Sequence, residues 1–257
     1  MNVTTELHDF IFNGHLNYVP HLSIDCAVFG FHDNQLKILL LRSKYLDGWA
    51  LPGGHIQRNE HIDIAAQRIL KERTGLDKIF LKQYQTFGDP DRLKTQSSQY
   101  FLNAVQLPIP PNNWLMERIV SIGYYALVEF SKATPTPDLF TEECDWWDIH
   151  QLPALIFDHD HMVDLALQTL QAQLHYQPIG YNLLPDKFTM PELQKLYETI
   201  LDKPLDRRNF QKKIMGLGIL EKLEERKSVG PHKSPYYYRF NEKNYQEALT
   251  EGLSFGF

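Results

Sequence analysis

The chain contains very little cysteine, since Cys26 and Cys144 are its two cysteines in 257 residues. Two thiols so far apart form neither a disulfide framework nor a CxxC metal site, so a reducing, cytoplasmic setting is expected. Long apolar runs are also missing: a membrane-spanning helix needs ~20 apolar residues, and the run Ile38–Leu41 already ends at Arg42. Residues 1–8 lack the basic-then-apolar order of a secretory signal. These absences predict a protein that neither spans a membrane nor is secreted.

The chain also has no overall excess of positive charge. Its 26 Lys and Arg residues against 32 Asp and Glu residues give a net charge of −6, which excludes a protein that coats nucleic acid with its whole surface. Residues 178–257 nevertheless hold 13 basic and 11 acidic residues, so this part carries +2 and residues 1–177 carry −8. The charges therefore predict an acidic body followed by a mildly basic C-terminal unit.

Several motifs of common enzymes are absent from the sequence. It contains no G-x-x-x-x-G-K-[ST] phosphate loop, no nucleophile elbow and no H-E-x-x-H pair. The segment Asp158–His161 has side chains that could bind a metal, but neighbouring residues at the start of a helix point in different directions. This segment is interpreted as a capped, solvated helix terminus, and no metal or cofactor is predicted.

The body shows the mixed pattern of an α/β (α+β) sandwich. Apolar, β-prone residues 22–31 and 36–41 flank a turn-like segment, which predicts a buried hairpin. A helix follows, with Asn59 as its expected cap and Gly75 at its left-handed end. Further strands are expected at residues 79–87 and 120–130, and a further helix from about residue 158 to 175.

The C-terminal part follows a different pattern. Residues 177–182 break the preceding helix, so the predicted domains are 1–177 and 178–257. Thr189 and Glu192 form a capping-box pattern that opens one helix, and Asp206 can cap a second. A hairpin-like stretch follows, so the order is helix, turn, helix and wing, which predicts a winged helix-turn-helix domain.

The second of these helices has two different faces. Phe210, Ile214 and Leu217 fall on one stripe at helical spacing, and basic or amide side chains occupy the opposite side. Arginine and glutamine can bond base edges in the major groove, and lysine can reach phosphates. Most basic helix faces are merely solvated, so this face alone does not indicate DNA binding. The order helix, turn, helix and wing supports that interpretation. The predicted DNA contacts in this helix and the wing are Arg207, Arg208, Asn209, Gln211, Lys212, Lys213, Lys227, Lys233 and Arg239.

The segment from Gly54 to Leu76 reads G-x5-E-x7-R-x3-E-x2-G-L and resembles the Nudix box, G-x5-E-x7-R-E-U-x-E-E-x-G-U. In active Nudix hydrolases, three glutamates on one helix face hold the magnesium ions that bridge a diphosphate. Those three positions here are Ile69, Glu72 and Arg73. The resemblance therefore implies a Nudix fold that has lost its metal site, and little or no hydrolysis is predicted.

A Nudix pocket without its metal cluster is still a cavity that can hold a sugar or a nucleotide. The resemblance thus implies a sensor of a small effector. For each candidate residue, a role at the surface or in packing is at least as good an interpretation as contact with a ligand. The candidates for effector binding are Arg42, Trp49, His55, Asp89, Asp91, Arg92 and Arg118.

The order of the two units resembles the NrtR-type Nudix-related transcriptional regulators of bacteria. This resemblance implies a cytoplasmic homodimer that binds double-stranded, pseudo-palindromic operator DNA and responds to ADP-ribose or L-arabinose. Segments 23–31 and 69–76 are more similar to the arabinose-responsive branch, so the leading expectation is a repressor that senses a small sugar such as L-arabinose. The alternatives are an ADP-ribose-sensing regulator of NAD metabolism and a hydrolase of ADP-ribose-like diphosphates. A ligand-binding protein whose winged helix contacts another protein is a third.

Overall fold

The computed structural model describes residues 5–76, 80–93, 104–137, 139–174, 177–178, 180–228 and 234–251. Its first part mixes helices and strands, as the sequence predicts. In chain order the elements are α1 (Thr5–Asn17), β1 (Tyr18–His32), β2 (Gln35–Ser43), β3 (Trp49–Ala50), β4 (Gly53–Gln57), α2 (Ile62–Thr74), β5 (Phe80–Phe87), β6 (Val120–Val128), β7 (Thr141–Asp148) and α3 (His159–Gln173).

These strands form one sheet with the order β3-β2-β1-β6-β5, in which β4 pairs with β1 and β7 pairs with β2. Strands β1 and β2 make the predicted hairpin. Asp33 and Asn34 at its tip have φ angles of 49° and 60°, which suits a two-residue turn whose twist matches its strands. None of the helices in the described ranges is long and apolar enough to cross a membrane.

Helix α2 begins two residues later than its predicted cap implies. His61, not Asn59, is the N-cap, and its ring nitrogen accepts the Asp63 N–H at 3.3 Å. At the other end Gly75 takes the left-handed conformation, with φ 73°, and its N–H bonds the Lys71 carbonyl at 2.8 Å. The cap prediction was wrong because a histidine nitrogen replaces the usual side-chain oxygen.

Helix α1 and strand β7 were not predicted. Helix α1 buries Leu7, Ile11 and Gly14 on one side, and a Cβ on Gly14 would lie 2.4 Å from the Trp114 ring. The glycine therefore allows the helix to approach the indole closely. A short helix that presents so few apolar residues gives little periodic signal in the sequence.

The C-terminal part is a winged helix domain, as predicted. Its elements are β8 (Phe188–Thr189), α4 (Met190–Leu201), α5 (Arg207–Gly216), β9 (Leu220–Arg226), β10 (Tyr236–Phe240) and α6 (Glu242–Glu251). The capping box is present at the start of α4, and the Asp206 side chain accepts the Asn209 N–H at 2.9 Å at the start of α5. The small sheet has the order β8-β10-β9.

The chain divides into two compact units. The first holds residues 1–29, 37–127 and 132–166, and the second holds residues 30–36, 128–131 and 167–257. The second unit thus includes the end of α3 and two short pieces from the N-terminal part of the sequence. The domain boundary between residues 177 and 178 stays a prediction.

Candidate functional site

A cavity of about 770 Å³ lies in the first unit. Its lining combines β1, β4, the Nudix-like helix α2 and the start of α3. Aromatic side chains form one part of the lining and ionisable side chains form another. This combination suits a ligand that has both a flat ring and a charged group.

The loop and strand that open the Nudix-like segment contain two glycines for steric reasons. In the β1–β4 pairing Gly53 lies opposite Asp25, and a Cβ on Gly53 would be 2.3 Å from the Asp25 carboxylate and 2.8 Å from the Ile24 carbonyl. A Cβ on Gly54 would be 3.1 Å from Ile69. Side chains from β1 and α2 therefore approach this backbone closely because it has no side chains of its own.

Arg68 holds the retained acidic residues of the box. Its Nε and Nη2 each donate to Glu60 at 2.8 Å, and its Nη1 lies 3.4 Å from Glu72. The hydrogen bonds from Arg68 keep the pKa of Glu60 below its ordinary value. These contacts fasten α2 to the preceding loop, so the retained residues have a structural explanation that does not involve a metal.

A second group of charges surrounds Asp25. The Arg92 guanidinium is almost fully buried, donates to Asp158 at 2.8 and 3.0 Å, and lies 3.8 Å from Asp25. The Ser121 hydroxyl donates to Asp25. His159 accepts the Leu51 N–H through Nδ1 at 3.0 Å, so its remaining proton is on Nε2, 3.8 Å from Asp25. Strands β1 and β6, two loops and the start of α3 are therefore joined by buried polar contacts.

We expect the first unit to lose stability as the pH falls below about 6.5, partly because of His159. Burial and the nearby Arg92 guanidinium lower the pKa of His159 from its ordinary 6.5. The unfolded chain then binds a proton at a pH where the folded chain does not, so this contribution is fully present above pH 6.5 and falls with acidification, by at most about 1.4 kcal/mol per pH unit. Urea unfolding followed by tryptophan fluorescence at several pH values measures it.

His159→Gln should show a shallower pH dependence than the wild type, since an amide oxygen can accept the Leu51 N–H without titrating. His150→Gln is the matched control, because His150 is exposed. Burial also lowers the pKa of His55, so part of the dependence should persist in His159→Gln. An unchanged slope in that variant would show that His159 does not contribute.

The aromatic part of the lining centres on Phe10 of α1. Its ring centroid lies 5.6 Å from that of Tyr18 and 5.1 Å from that of Phe140. Tyr45 lies 6.3 Å from Phe140, and all four rings line the cavity. Such rings bind a nucleobase by stacking.

Of the seven residues predicted to contact an effector, His55 and Arg92 line the cavity. Leu41 and Ser43 also line it, so alternation along β2 turns Arg42 to the opposite face. The effector-binding role of all seven residues remains a prediction. The five outside the lining make other contacts. Arg42 forms an ion pair with Glu142 at 3.3 Å, and Trp49 packs edge-to-face on Trp147 at 5.1 Å. The Asp91 N–H donates to the Asp89 side chain at 2.7 Å, and Arg118 donates to the Gly88 carbonyl.

Sequence reasoning missed Asp25, Arg68 and His159 as lining residues. Asp25 had a detectable signal, because it is a charged residue inside an otherwise apolar strand. The interpretation of residues 158–161 as a solvated terminus was wrong in part, since His159 is 4% exposed and Asp158 pairs with Arg92. A pairing partner so distant in sequence gives no local signal.

The second candidate site is the exposed face of α5. Phe210 and Ile214 are buried, while the basic and amide residues of this helix are exposed. The Tyr197 ring packs edge-on against Phe210 at 5.3 Å, which anchors α5 on α4. In the part of the chain that the structure describes, no carboxylate pairs with Arg208 or Lys212. These two side chains can therefore reach a nucleic acid without breaking an ion pair.

The cations predicted for the wing are placed differently. Lys227 is half-buried and donates to Glu192, at 2.5 Å, the glutamate of the capping box. Arg239 donates to Glu221 at 2.7 Å, and Lys233 lies outside the described residues. A phosphate would have to compete with these carboxylates, so the exposed face of α5 is the better candidate for DNA binding.

The fold and the two sites define a two-domain protein, in which a Nudix-like domain with Ile69 and Arg73 at two positions that are glutamates in the Nudix box precedes a winged helix domain. Residues 19–166 match the NUDIX domain family, and residues 180–240 match the NrtR DNA-binding winged helix domain family. The chain belongs to the NrtR-type Nudix regulators, as the resemblance predicted.

The proteins similar to this chain include two relatives and one solved structure. The chain is 30% identical over 233 residues to the ADPR responsive transcriptional repressor NtrR of Acinetobacter baylyi, covering 88% of this chain and 84% of that protein. It is 26% identical over 149 residues to an ADP-ribose pyrophosphatase of Methanocaldococcus jannaschii, covering 57% and 75%. The crystal structure of Shewanella oneidensis NrtR complexed with a 27mer DNA has a TM-score of 0.69 at 23% identity, covering 88% and 95%. These comparisons do not support the predicted arabinose branch.

Proposed function

We propose that this chain is a transcriptional repressor that binds operator DNA through α5 and responds to an ADP-ribose-like nucleotide in its cavity. One observation carries the proposal: a Nudix cavity with Ile69 and Arg73 at two metal-ligand positions shares a chain with an exposed basic helix. A sensor needs the cavity, whereas a hydrolase also needs the metal cluster. The ADPR responsive relative supports the same function. A homodimer on a pseudo-palindromic operator is part of the proposal.

The cavity offers a group for each part of such a nucleotide. Phe10 and Tyr18 can stack on the adenine, Arg73 can bind the diphosphate, and Asp25 and Glu72 can accept ribose hydroxyls. A pentose alone would leave the aromatic part of the cavity uncovered. The chemistry of the lining therefore favours a nucleotide over the sugar expected first.

The test is a titration of labelled DNA, taken upstream of the protein's own gene and its neighbours, followed by fluorescence anisotropy. We expect binding that ADP-ribose weakens by a factor of roughly 5–150, corresponding to a coupling of ~1–3 kcal/mol, and that L-arabinose leaves unchanged. Turnover of ADP-ribose above about 1 per second with magnesium would favour the hydrolase instead. If no such DNA binds, the winged helix contacts another kind of partner.

Arg208→Ala should weaken operator binding by about 1–3 kcal/mol, a factor of roughly 5–150, and relax the base preference at one position of each half-site. The physical reason is that an exposed arginine near the start of a recognition helix can form a bidentate pair with a guanine edge. Anisotropy titrations with the operator and with single-base variants of it measure both effects.

Lys243→Ala is the matched control, because Lys243 is an exposed cation on α6 that pairs with Glu247 at 3.9 Å. This variant should bind the operator like the wild type. If Arg208→Ala also leaves affinity and base preference unchanged, Arg208 has no role in reading the DNA.

A further inference from the structure

We infer that the cavity binds the diphosphate of its effector without a divalent metal ion, and that the Arg73 guanidinium supplies the positive charge in place of the metal. This inference rests on the proposed function and deepens it, since it concerns how the same cavity recognises the same class of ligand. The Nudix fold implies magnesium, which requires several oxygen ligands. The residues present do not provide them.

Ile69 occupies the first of the three metal-ligand positions. Its side chain is 1% exposed, and it packs so closely on Gly54 that a Cβ there would lie 3.1 Å from its Cγ1. The space beside the loop is therefore filled by a hydrocarbon group that has no lone pair to offer. An ion that needs near-octahedral oxygen coordination does not fit against this surface.

The two carboxylates that remain in the box already have a cation. Both oxygens of Glu60 accept hydrogen bonds from Arg68 at 2.8 Å, and Glu60 also accepts the Gln57 N–H at 3.1 Å. Glu72 lies 3.4 Å from the same guanidinium. Within the described ranges there is no group of three His, Cys, Asp or Glu residues placed to hold a metal ion. Binding magnesium here would require breaking the Arg68 contacts.

Arg73 stands at the third metal-ligand position, four residues after Ile69, so both lie on the same helix face. It is half-buried and lines the cavity, and its backbone carbonyl accepts the Thr136 N–H at 3.0 Å, which fixes the end of α2. Arg73 therefore places a planar, permanently charged donor where a hydrolase places its metal, and this group can pair with a phosphate through two hydrogen bonds.

The test is calorimetric titration of the full chain with ADP-ribose, once with magnesium and once with EDTA. The wild type should give the same dissociation constant within about twofold in both. Arg73→Glu should weaken binding in EDTA at least about tenfold, or ~1.4 kcal/mol, while Arg73→Lys should keep most of the affinity. Lys71→Glu is the matched control, because it makes the same charge change at an exposed position of α2 outside the lining.

The outcomes separate this inference from the function on which it rests. Binding by the wild type that requires magnesium would overturn the inference and leave the ADP-ribose sensor standing. Equal affinities of Arg73→Glu and Lys71→Glu would also overturn it. If the wild type binds ADP-ribose in neither buffer, the proposed function itself is wrong.

Discussion

Replacing Arg92 with methionine is expected to lower the free energy of unfolding of the first unit by about 3–5 kcal/mol. The Arg92 side chain is 3% exposed and neutralises Asp158, at 2.8 Å, and Asp25, at 3.8 Å. Methionine fills a similar volume but leaves both carboxylates largely buried without their cation. A buried charge that has lost its partner is among the most destabilising changes in a protein.

Tryptophan fluorescence during urea unfolding measures this effect in one unit of the chain. The four tryptophans, at positions 49, 114, 146 and 147, all lie in the first unit, so their signal follows that unit alone. Arg118→Met is the matched control, because Arg118 is exposed, and it should change the unfolding free energy by less than about 1 kcal/mol. A loss that small in Arg92→Met would show that Asp158 and Asp25 do not need the Arg92 charge.

Phe210→Ala is expected to destabilise the winged helix domain by about 3–5 kcal/mol, the usual cost of removing a buried aromatic ring. Phe210 is 1% exposed and packs against Tyr197, which is also 1% exposed. Because this contact holds α5 on α4, operator binding should fall sharply. The residues lining the cavity all belong to the first unit, so affinity for ADP-ribose should be kept.

Two spectroscopic signals make the prediction specific. Circular dichroism, which reports helices in both units, should show an early transition in Phe210→Ala, while the tryptophan transition should stay where it is in the wild type. Met215→Ala is the control, since Met215 is on the same helix and is 40% exposed. A tryptophan transition that moves together with the circular dichroism would show that the two units unfold as one.

The sequence predicted the parts of the fold that depend on local patterns. Gly75 at the end of α2 and Asp206 at the start of α5 were both predicted, because each bonds to backbone groups within one turn of its own helix. The Nudix resemblance was equally local, since the spacing of one loop and one helix determines it. The cap of α2 was missed because it uses a histidine nitrogen.

The candidate site depended on contacts between distant residues and was less predictable. Leu51 and His159 are 108 residues apart and meet through one hydrogen bond, and Arg92 and Asp158 are 66 residues apart. No local pattern specifies such partners, because they are chosen by the packing of the sheet against α3. Lys227 was predicted as a DNA contact of the wing, but it donates to Glu192 at the start of α4. This bond joins residues 35 positions apart, so no local pattern predicts it either.

The second unit is built from three separate segments of the chain, which matters for exchanging domains between regulators. The tip of the β1–β2 hairpin, residues 30–36, belongs to this unit, and the Thr199 hydroxyl of α4 donates to the Asn34 carbonyl at 3.2 Å. A graft joined at residue 178 would separate α4 from that tip. A chimaera that preserves the native surroundings of the winged helix should therefore also transplant residues 30–36 and 128–131, together with the end of α3.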